Sequence, residues 1–505
     1  MARNPAEMYA ELIRRVREIA LLDSCASLLH WDHQTYMPPR GSGHRAEQHA
    51  LLAGLAHQQA TALAIGELLA EVEGSALVDD VHSLVAVNAR EIRRTYDRAT
   101  RLPQTLVQEL ARTCALARDV WVEARSTSDF RLFQPWLEKI VALKRQEAEA
   151  VGYSGVPYDA LLDDYEPGET TVHLIAHFAT LRQELVQLVG EIAASGKQPD
   201  LSILHREYPA DRQESFGKAA AAAIGFDFEA GRLDVTTHPF CSGIGPGDTR
   251  ITTRYNPQDF GDAFFSIMHE AGHGLYDQGL DPAHYGAPMG RAVSLGIHES
   301  QSRLWENFVG RSRAFWEHSF PRARQIFPDA LRDVSLDAFY FALNDVRPSF
   351  VRVDADEVTY NLHILLRFEM EQALINGDLM PAGIPAAWND AFKGLFGLTP
   401  PDDAQGCLQD IHWSGGGIGY FPTYTLGNLY AAQFFARARG DLGDLDQQFR
   451  QGEFAPLKEW LNTKIHRHGQ RYHAADLVVA VTGKPLSPRF FLDHLRAKFA
   501  SLYGI

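Results

Sequence analysis

Residues 256–279 read NPQDFGDAFFSIMHEAGHGLYDQG. Asn256 suits an N-cap, Pro257 the first helical position and Gly279 a C-terminal stop, while Phe260, Phe264, Ile267 and Leu275 mark one apolar face. The spacing predicts a helix of about six turns. His269 and His273, four residues apart, project from one side of it, and Glu270 points about 100° away around the axis. This layout is HExxH. Two neutral imidazoles can grip one tetrahedral ion such as Zn²⁺, and a carboxylate that does not ligate can take a proton from the attacking water. Without a third ligand, a pair of surface histidines on a helix would account for the same residues.

Glu299 is the candidate for a third ligand. It lies 26 residues beyond His273 in RAVSLGIHESQSRLWENFVG (291–310), a second amphipathic segment bearing Leu295, Leu304, Trp305 and Phe308. Antiparallel packing of the two helices would bring it to the ion. The competing assignment pairs Glu299 with Arg303 at i+4 as an ordinary solvated ion pair. His298 is the alternative ligand. It ranks below its neighbour because two His and one Glu leave a fourth position open for chemistry.

Most of the remaining chain reads as helix, with apolar residues recurring at three and four spacings over 7–22, 104–124, 133–151 and 171–195. Strand signals are few. GRLDVTT (231–237) and RITTRY (250–255) flank the Gly/Pro-rich SGIGPGD (242–248), which predicts an antiparallel hairpin just before the HExxH helix. No repeat, linker or low-complexity tract interrupts the 505 residues. The expected fold is therefore mainly α, one large helical domain over 1–505 that can divide into two lobes around a cleft.

Composition narrows the function classes. Apolar residues at 45% and charged ones at 22% exclude a disordered or fibrous chain. A net charge of −16, from 48 Lys+Arg against 64 Asp+Glu, argues against nucleic-acid binding and against docking on an anionic membrane. The first 22 residues spread charges through an amphipathic pattern, unlike a secretory signal, and no run of 18 apolar residues predicts a membrane helix. Cys25, Cys114, Cys241 and Cys407 form no CxxC pair, which excludes a cysteine zinc cluster and fits a reducing cytoplasm. The absence of a Walker loop, GxGxxG and GxSxG removes the usual nucleotide and serine-hydrolase readings.

A peptidase acting at a chain end needs a cation for the terminal carboxylate, and the bidentate fork of Arg suits it. DTRITTRY (248–255) offers Arg250 and Arg254; VRPSFVRVDADEVTYNLHI (346–364) offers Arg347 and Arg352. Each, taken singly, is equally accounted for as a surface or ion-paired arginine. A third segment, GCLQDIHWSGGGIGYFPTYTLGN (406–428), gathers Gln409, Asp410, His412, Tyr420 and Tyr424 about a triple-glycine turn. Tyr and His there can donate to a developing oxyanion, although tyrosines beside glycines also occur in plain core turns. The histidines His30, His33, His44 and His49 lack compact metal spacing and read as capping and packing residues.

In order, HPF (238–240), DTRIT (248–252), HEAGH (269–273), HESQ (298–301), VRVDAD (351–356) and GCLQDIHW (406–413) resemble the motif set of the carboxypeptidase Taq family of metallocarboxypeptidases. The resemblance extends to WDHQTYMPPRG (31–41), YDALLDDYEPG (158–168) and YFPTYTLG (420–427), and so spans essentially the whole chain. It implies a mostly helical single-domain zinc peptidase with a deep substrate groove, commonly a homodimer, that removes C-terminal residues one at a time with broad specificity. It also implies His269, His273 and Glu299 as metal ligands and Glu270 as general base and acid. Arg352 would hold the substrate's terminal carboxylate, with His238, Arg250, Gln409, Asp410 and His412 lining the site. His412 and Tyr420 or Tyr424 would steady the transition state, by a more distant similarity to dipeptidyl carboxypeptidases.

The expected activity is attack of a zinc-bound water on the last peptide bond of a peptide with a free C-terminus. Co²⁺ or Mn²⁺ could occupy the same ligands. Two rivals stay open on sequence grounds: an HExxH endo-oligopeptidase, and a non-catalytic helical binding protein stabilised by its metal.

Overall fold

The long helices follow the apolar spacing. Helices Pro5–Thr35, Gln104–Thr127, Phe130–Val151 and Thr171–Ala194 occupy the four predicted windows in a computed structural model that describes residues 4–505. The first runs well past its window, through the WDHQ stretch. The first three residues of the N-terminal segment read above lie outside the described residues. Side-chain caps start several helices: Asn4 accepts from Ala6 N, Asp129 from Arg131 N and Thr170 from His173 N. About 70% of the chain is helical, with one small sheet.

That sheet refines the expected hairpin. Strands β1 (Gly231–Val235), β2 (Cys241–Gly245) and β3 (Asp248–Thr253) lie in the order β1-β3-β2. The antiparallel hairpin joins β2 to β3, with Cys241 opposite Ile251, so much of the Gly-rich stretch taken as turn is itself strand. The segment expected to be its first arm, β1, pairs instead in parallel with β3, Leu233 opposite Ile251. A parallel partner needs a crossover, and residues 236–247, which include β2, make the connection from β1 to β3; past the end of β1, Thr236 N–H still donates to Thr253 O.

The HExxH helix spans Phe260–Gly279 and rests on β3, where Thr253 Oγ1 lies 3.1 Å from Ser266 Oγ. Its start differs from the expectation. Asp259, not Asn256, is the N-cap, accepting from Gly261 and Asp262 N–H. The carbonyls of Asn256 and Pro257 are already taken, by Gln213 Nε2 at 2.8 Å and Tyr208 N at 2.7 Å, so the helix opens three residues later.

The first half of that helix is anchored in aromatic core. Phe260 and Phe264 pack with Phe216, Trp316 and Phe339, ring centroids mostly 5–6 Å apart. Each such ring, fully buried, contributes about 1.5–3 kcal/mol. This core runs on to the C-terminal helix Arg489–Tyr503, while a separate cluster of Met8, Leu12, Leu69, Val72 and Ile92 joins the N-terminal helices. Rigid burial at one end leaves the HEAGH end to meet other helices.

Candidate metal centre

Three helices converge on His269 and His273: the HExxH helix, Leu295–Arg303 and Pro422–Leu442. Two glycines permit the approach. A Cβ on Gly272 would stand 2.6 Å from Gln301 O and Ser302 Cα, and one on Gly427 would stand 2.5 Å from Glu299 Cγ. Glu299 is thus pressed between the helices with its carboxylate facing the histidines.

His269 Nε2 lies 3.6 Å and His273 Nε2 3.3 Å from Glu299 Oε2, and one donor atom from each of the three residues falls within 4.8 Å of the others. Four donors held about 2.05 Å from a tetrahedral ion sit about 3.3 Å apart, so the spacing suits a divalent metal. The chemistry of the donors fits as well: two imidazole nitrogens and one carboxylate oxygen.

The surrounding groups fix these donors. Glu306 Oε2 lies 2.9 Å from His269 Nδ1, which leaves Nε2 as the free nitrogen facing Glu299. Arg303 donates from Nε to Glu299 Oε1 at 2.7 Å and from Nη1 to Glu306 Oε2 at 3.2 Å. The pairing of Glu299 with Arg303 and its orientation toward the histidines are therefore compatible, each using one carboxylate oxygen. Glu306 belongs to a π-helical stretch, Leu304–Gly310, which continues the Glu299 helix. His298 is committed elsewhere: its Nε2 is 3.0 Å from Asp277 Oδ1, and its ring stacks on His273 at 4.5 Å.

Burial sets the charges. It opposes ionisation of Glu306, yet Arg303 and His269 hold that carboxyl down at about 2. Glu299 is likewise held well below the usual carboxylate range by Arg303 and His269 despite burial. Glu270, buried and without such a cation, is pushed up to about 7, chiefly by burial and then by Glu299, with His269 opposing. His273 falls to about 4 through burial and the neighbouring His298, so its imidazole is neutral and free to ligate.

A second cluster lies beside Tyr420 and Tyr424, both of whose phenols feel the Glu299 charge. Asp410 is shared by two arginines: Oδ1 accepts from Arg352 Nε and Nη2 at 3.1 and 2.7 Å, and Oδ2 from Arg367 Nε at 2.6 Å. They hold Asp410 far below its usual range although burial opposes this. Gln409 has both ends of its amide engaged, accepting from Arg352 N at 2.7 Å and donating to the carbonyls of Phe350, Gln405 and Gly406. His412 Nε2 is 3.3 Å from Tyr424 Oη, and burial, assisted by both arginines, lowers it to about 4. Glu371, wholly buried, pins this loop by accepting from Trp413 Nε1, Gly419 N and Tyr158 Oη.

The other candidate residues have partners of their own or face solvent. Arg250 is locked in a two-point pair with Asp248 at 2.8 Å and lies 4.1 Å above the Trp31 ring. Arg254 pairs with Asp262 and Arg347 with Asp345, both toward solvent. His238 is exposed in the β1–β2 connection. Sequence reading passed over Glu306, Arg367, Glu371 and Tyr360. Of these Glu306 was within reach, since it follows Glu299 by seven residues and so returns to the same helical face.

Comparison with known proteins identifies the family. Residues 11–499 match the family model described as carboxypeptidase Taq (M32) metallopeptidase. Thermostable carboxypeptidase 1 of Thermus thermophilus is 50% identical over 99% of this chain and 100% of its own length, and carboxypeptidase 1 of Bacillus subtilis 38% identical over 98% of each. The crystal structure of an M32 carboxypeptidase from Deinococcus radiodurans R1 superposes with a TM-score of 0.96 at 39% identity, covering 99% of this chain and 100% of that one. The chain belongs to the carboxypeptidase Taq (M32) family and is a metal-dependent peptide hydrolase of the carboxypeptidase kind.

Proposed function

We propose that the enzyme releases C-terminal residues one at a time from peptides with a free carboxyl end, over a broad range of terminal residues. The observation that carries this reading is the convergence of His269, His273 and Glu299 beside a buried, unpaired Glu270, with a cationic cluster close by. The three residues would hold a divalent cation, which we take to be Zn²⁺ with Co²⁺ able to replace it. Bound there, the metal supplies Lewis acidity that lowers the pKa of water toward about 7 and polarises the scissile carbonyl.

Glu270 takes a proton from the attacking water and delivers it to the leaving amine. A neighbouring cation would draw its carboxyl down from about 7, so that it is ionised when it acts as base. Arg352 holds the terminal carboxylate and so sets which bond is reached. Arg352 and Arg367 share the single Asp410 while His412 is neutral, which leaves one surplus positive charge in a buried place. An arriving carboxylate offsets it. Asp410 and Gln409 act through Arg352 by fixing its side chain and its backbone. Tyr424, backed by His412, donates to the developing oxyanion, with Tyr420 packed 5.3 Å from it as support. His238 and Arg250, by family resemblance, belong to the outer wall of the substrate path.

We further read the chain as one working unit over 1–505 and as a cytoplasmic homodimer, supported by the unpaired cysteines and the family resemblance. No helix among the described residues is long and apolar enough to cross a membrane. The test uses one peptide as free acid and as C-terminal amide, with Zn²⁺ or Co²⁺ and with chelator, following products by mass. Stepwise loss from the free acid alone, abolished by chelation, is expected. Internal cuts in both forms would replace this reading with an endo-oligopeptidase.

A further inference from the structure

Between the Arg352 cluster and the metal cluster stands one side chain that neither account uses. Tyr360, the first residue of helix Tyr360–Asn376, is buried. Its hydroxyl accepts from Arg352 Nη1 at 3.0 Å, while its ring lies 4.4 Å from the Cζ of Arg303 and meets Tyr424 edge-on at 6.1 Å. Arg303 in turn holds Glu299 at 2.7 Å and Glu306 at 3.2 Å, and Glu306 holds His269 at 2.9 Å.

We propose that Tyr360 is a positioning residue that aligns the substrate-binding arginine and the carboxylates of the metal site, Glu299 and Glu306, against each other. The proposal rests on the assignment of Arg352 to the terminal carboxylate. Both clusters need such a reference. Arg352 is tied to Asp410 by Nε and Nη2, both to the same oxygen, so its guanidinium can pivot about that point. The Tyr360 hydroxyl stops the pivot at Nη1. Arg303 has its fork occupied by two carboxylates, and its flat face rests on the Tyr360 ring, where a desolvated guanidinium is held more firmly than an exposed one. A register error of about 1 Å between terminus and metal costs up to about 100-fold in rate. The hydroxyl and the ring of Tyr360 thus carry separable duties.

The experiment measures metal affinity of the apoprotein by competition with a chromophoric chelator, and in parallel kcat and KM on a free-acid peptide. Tyr360→Phe removes the hydroxyl and keeps the ring. Metal affinity should stay within about twofold of the parent while kcat/KM falls about tenfold or more. Tyr360→Leu removes the ring as well, and metal affinity should fall about 10- to 100-fold, the range for groups that orient metal ligands. Should the Leu variant not fold, Tyr360→Met, equally buried but without an aromatic face, carries the same expectation. Parental metal affinity in the folded Leu or Met variant, or parental kcat/KM in the Phe variant, would overturn the proposal. Failure of the underlying assignment is distinct: Arg352→Ala would then leave free-acid cleavage unharmed, while the metal-affinity arm of Tyr360 would be untouched.

Discussion

Gly427→Ala adds one methyl group at the point where helix Pro422–Leu442 crosses the Glu299 helix. The new carbon would sit 2.5 Å from Glu299 Cγ, 2.8 Å from its Cβ and 3.2 Å from its backbone carbon. Carbon pairs rest at about 3.5–4.0 Å, so something must yield by about 1 Å. Rotating the Glu299 side chain cannot relieve contacts to its own Cβ and backbone, so the two helices must part. Donor-to-metal distances tolerate about 0.2 Å, which predicts a metal affinity lowered about 100-fold or more, with an overpacking cost of about 1–3 kcal/mol. Chelator competition measures the first and urea unfolding of the apoprotein the second. Gly440→Ala provides the internal control: it lies on the same helix with nothing within 4 Å of its added carbon. That variant should keep its metal and gain up to about 1 kcal/mol from helix propensity. If Gly427→Ala bound metal as Gly440→Ala does, close approach at Gly427 would not be what places Glu299.

Glu306→Gln should weaken metal binding about 10- to 100-fold, since His269 Nδ1 loses a charged partner at 2.9 Å; unchanged affinity in the same competition assay would remove Glu306 from the site. Glu270→Gln should retain metal, because Glu270 is outside the donor set, and lose about 10²- to 10⁴-fold in kcat; near-parental turnover would eliminate it as base. Stability should also vary with pH through Glu371. Burial pushes this carboxyl up to about 7, above its unfolded value near 4.5, so between those limits the native state binds the extra proton. Its contribution to stability is therefore intact below about pH 4.5 and is lost as pH rises to about 7. The urea-unfolding free energy of Glu371→Gln should decline less steeply across that window than the parent's, and identical slopes would mean that Glu371 is ionised throughout.

The HExxH helix and Glu299 were legible because each depends on local periodicity: a four-residue spacing in one helix, and an apolar stripe that turns a neighbouring carboxylate the same way. Arg250 was legible too, had strand geometry been applied, since Asp248 two residues earlier lies on the same side of β3 and takes both ends of its fork. The N-cap at Asp259 was not. Asn256 and Pro257 carry the usual sequence signals, and what displaces the helix start is demand for their carbonyls from Tyr208 and Gln213, some 40 to 50 residues away. Likewise the β1 segment has strand composition, but its parallel pairing depends on a crossover that no hairpin rule anticipates.

The division between what could and could not be read follows from the energetics of the site. Metal donors need only the right residue on the right face, which short-range spacing specifies. The groups that orient them are buried ions, and a buried ion is tolerated only with partners that compensate its desolvation. Those partners come from wherever the fold provides them: Asp410 meets Arg352 across 58 residues and Arg367 across 43. Replacing such pairs with apolar side chains would often hold a helical core together as well or better. Arg303, Glu306, Arg352, Arg367 and Asp410 nevertheless sit together with little exposure in the two clusters of the site, in addition to buried pairs elsewhere such as Lys144 with Glu147 and Lys498 with Glu357. Their concentration there is best accounted for by positioning, with stability conceded where chemistry needs fixed charge.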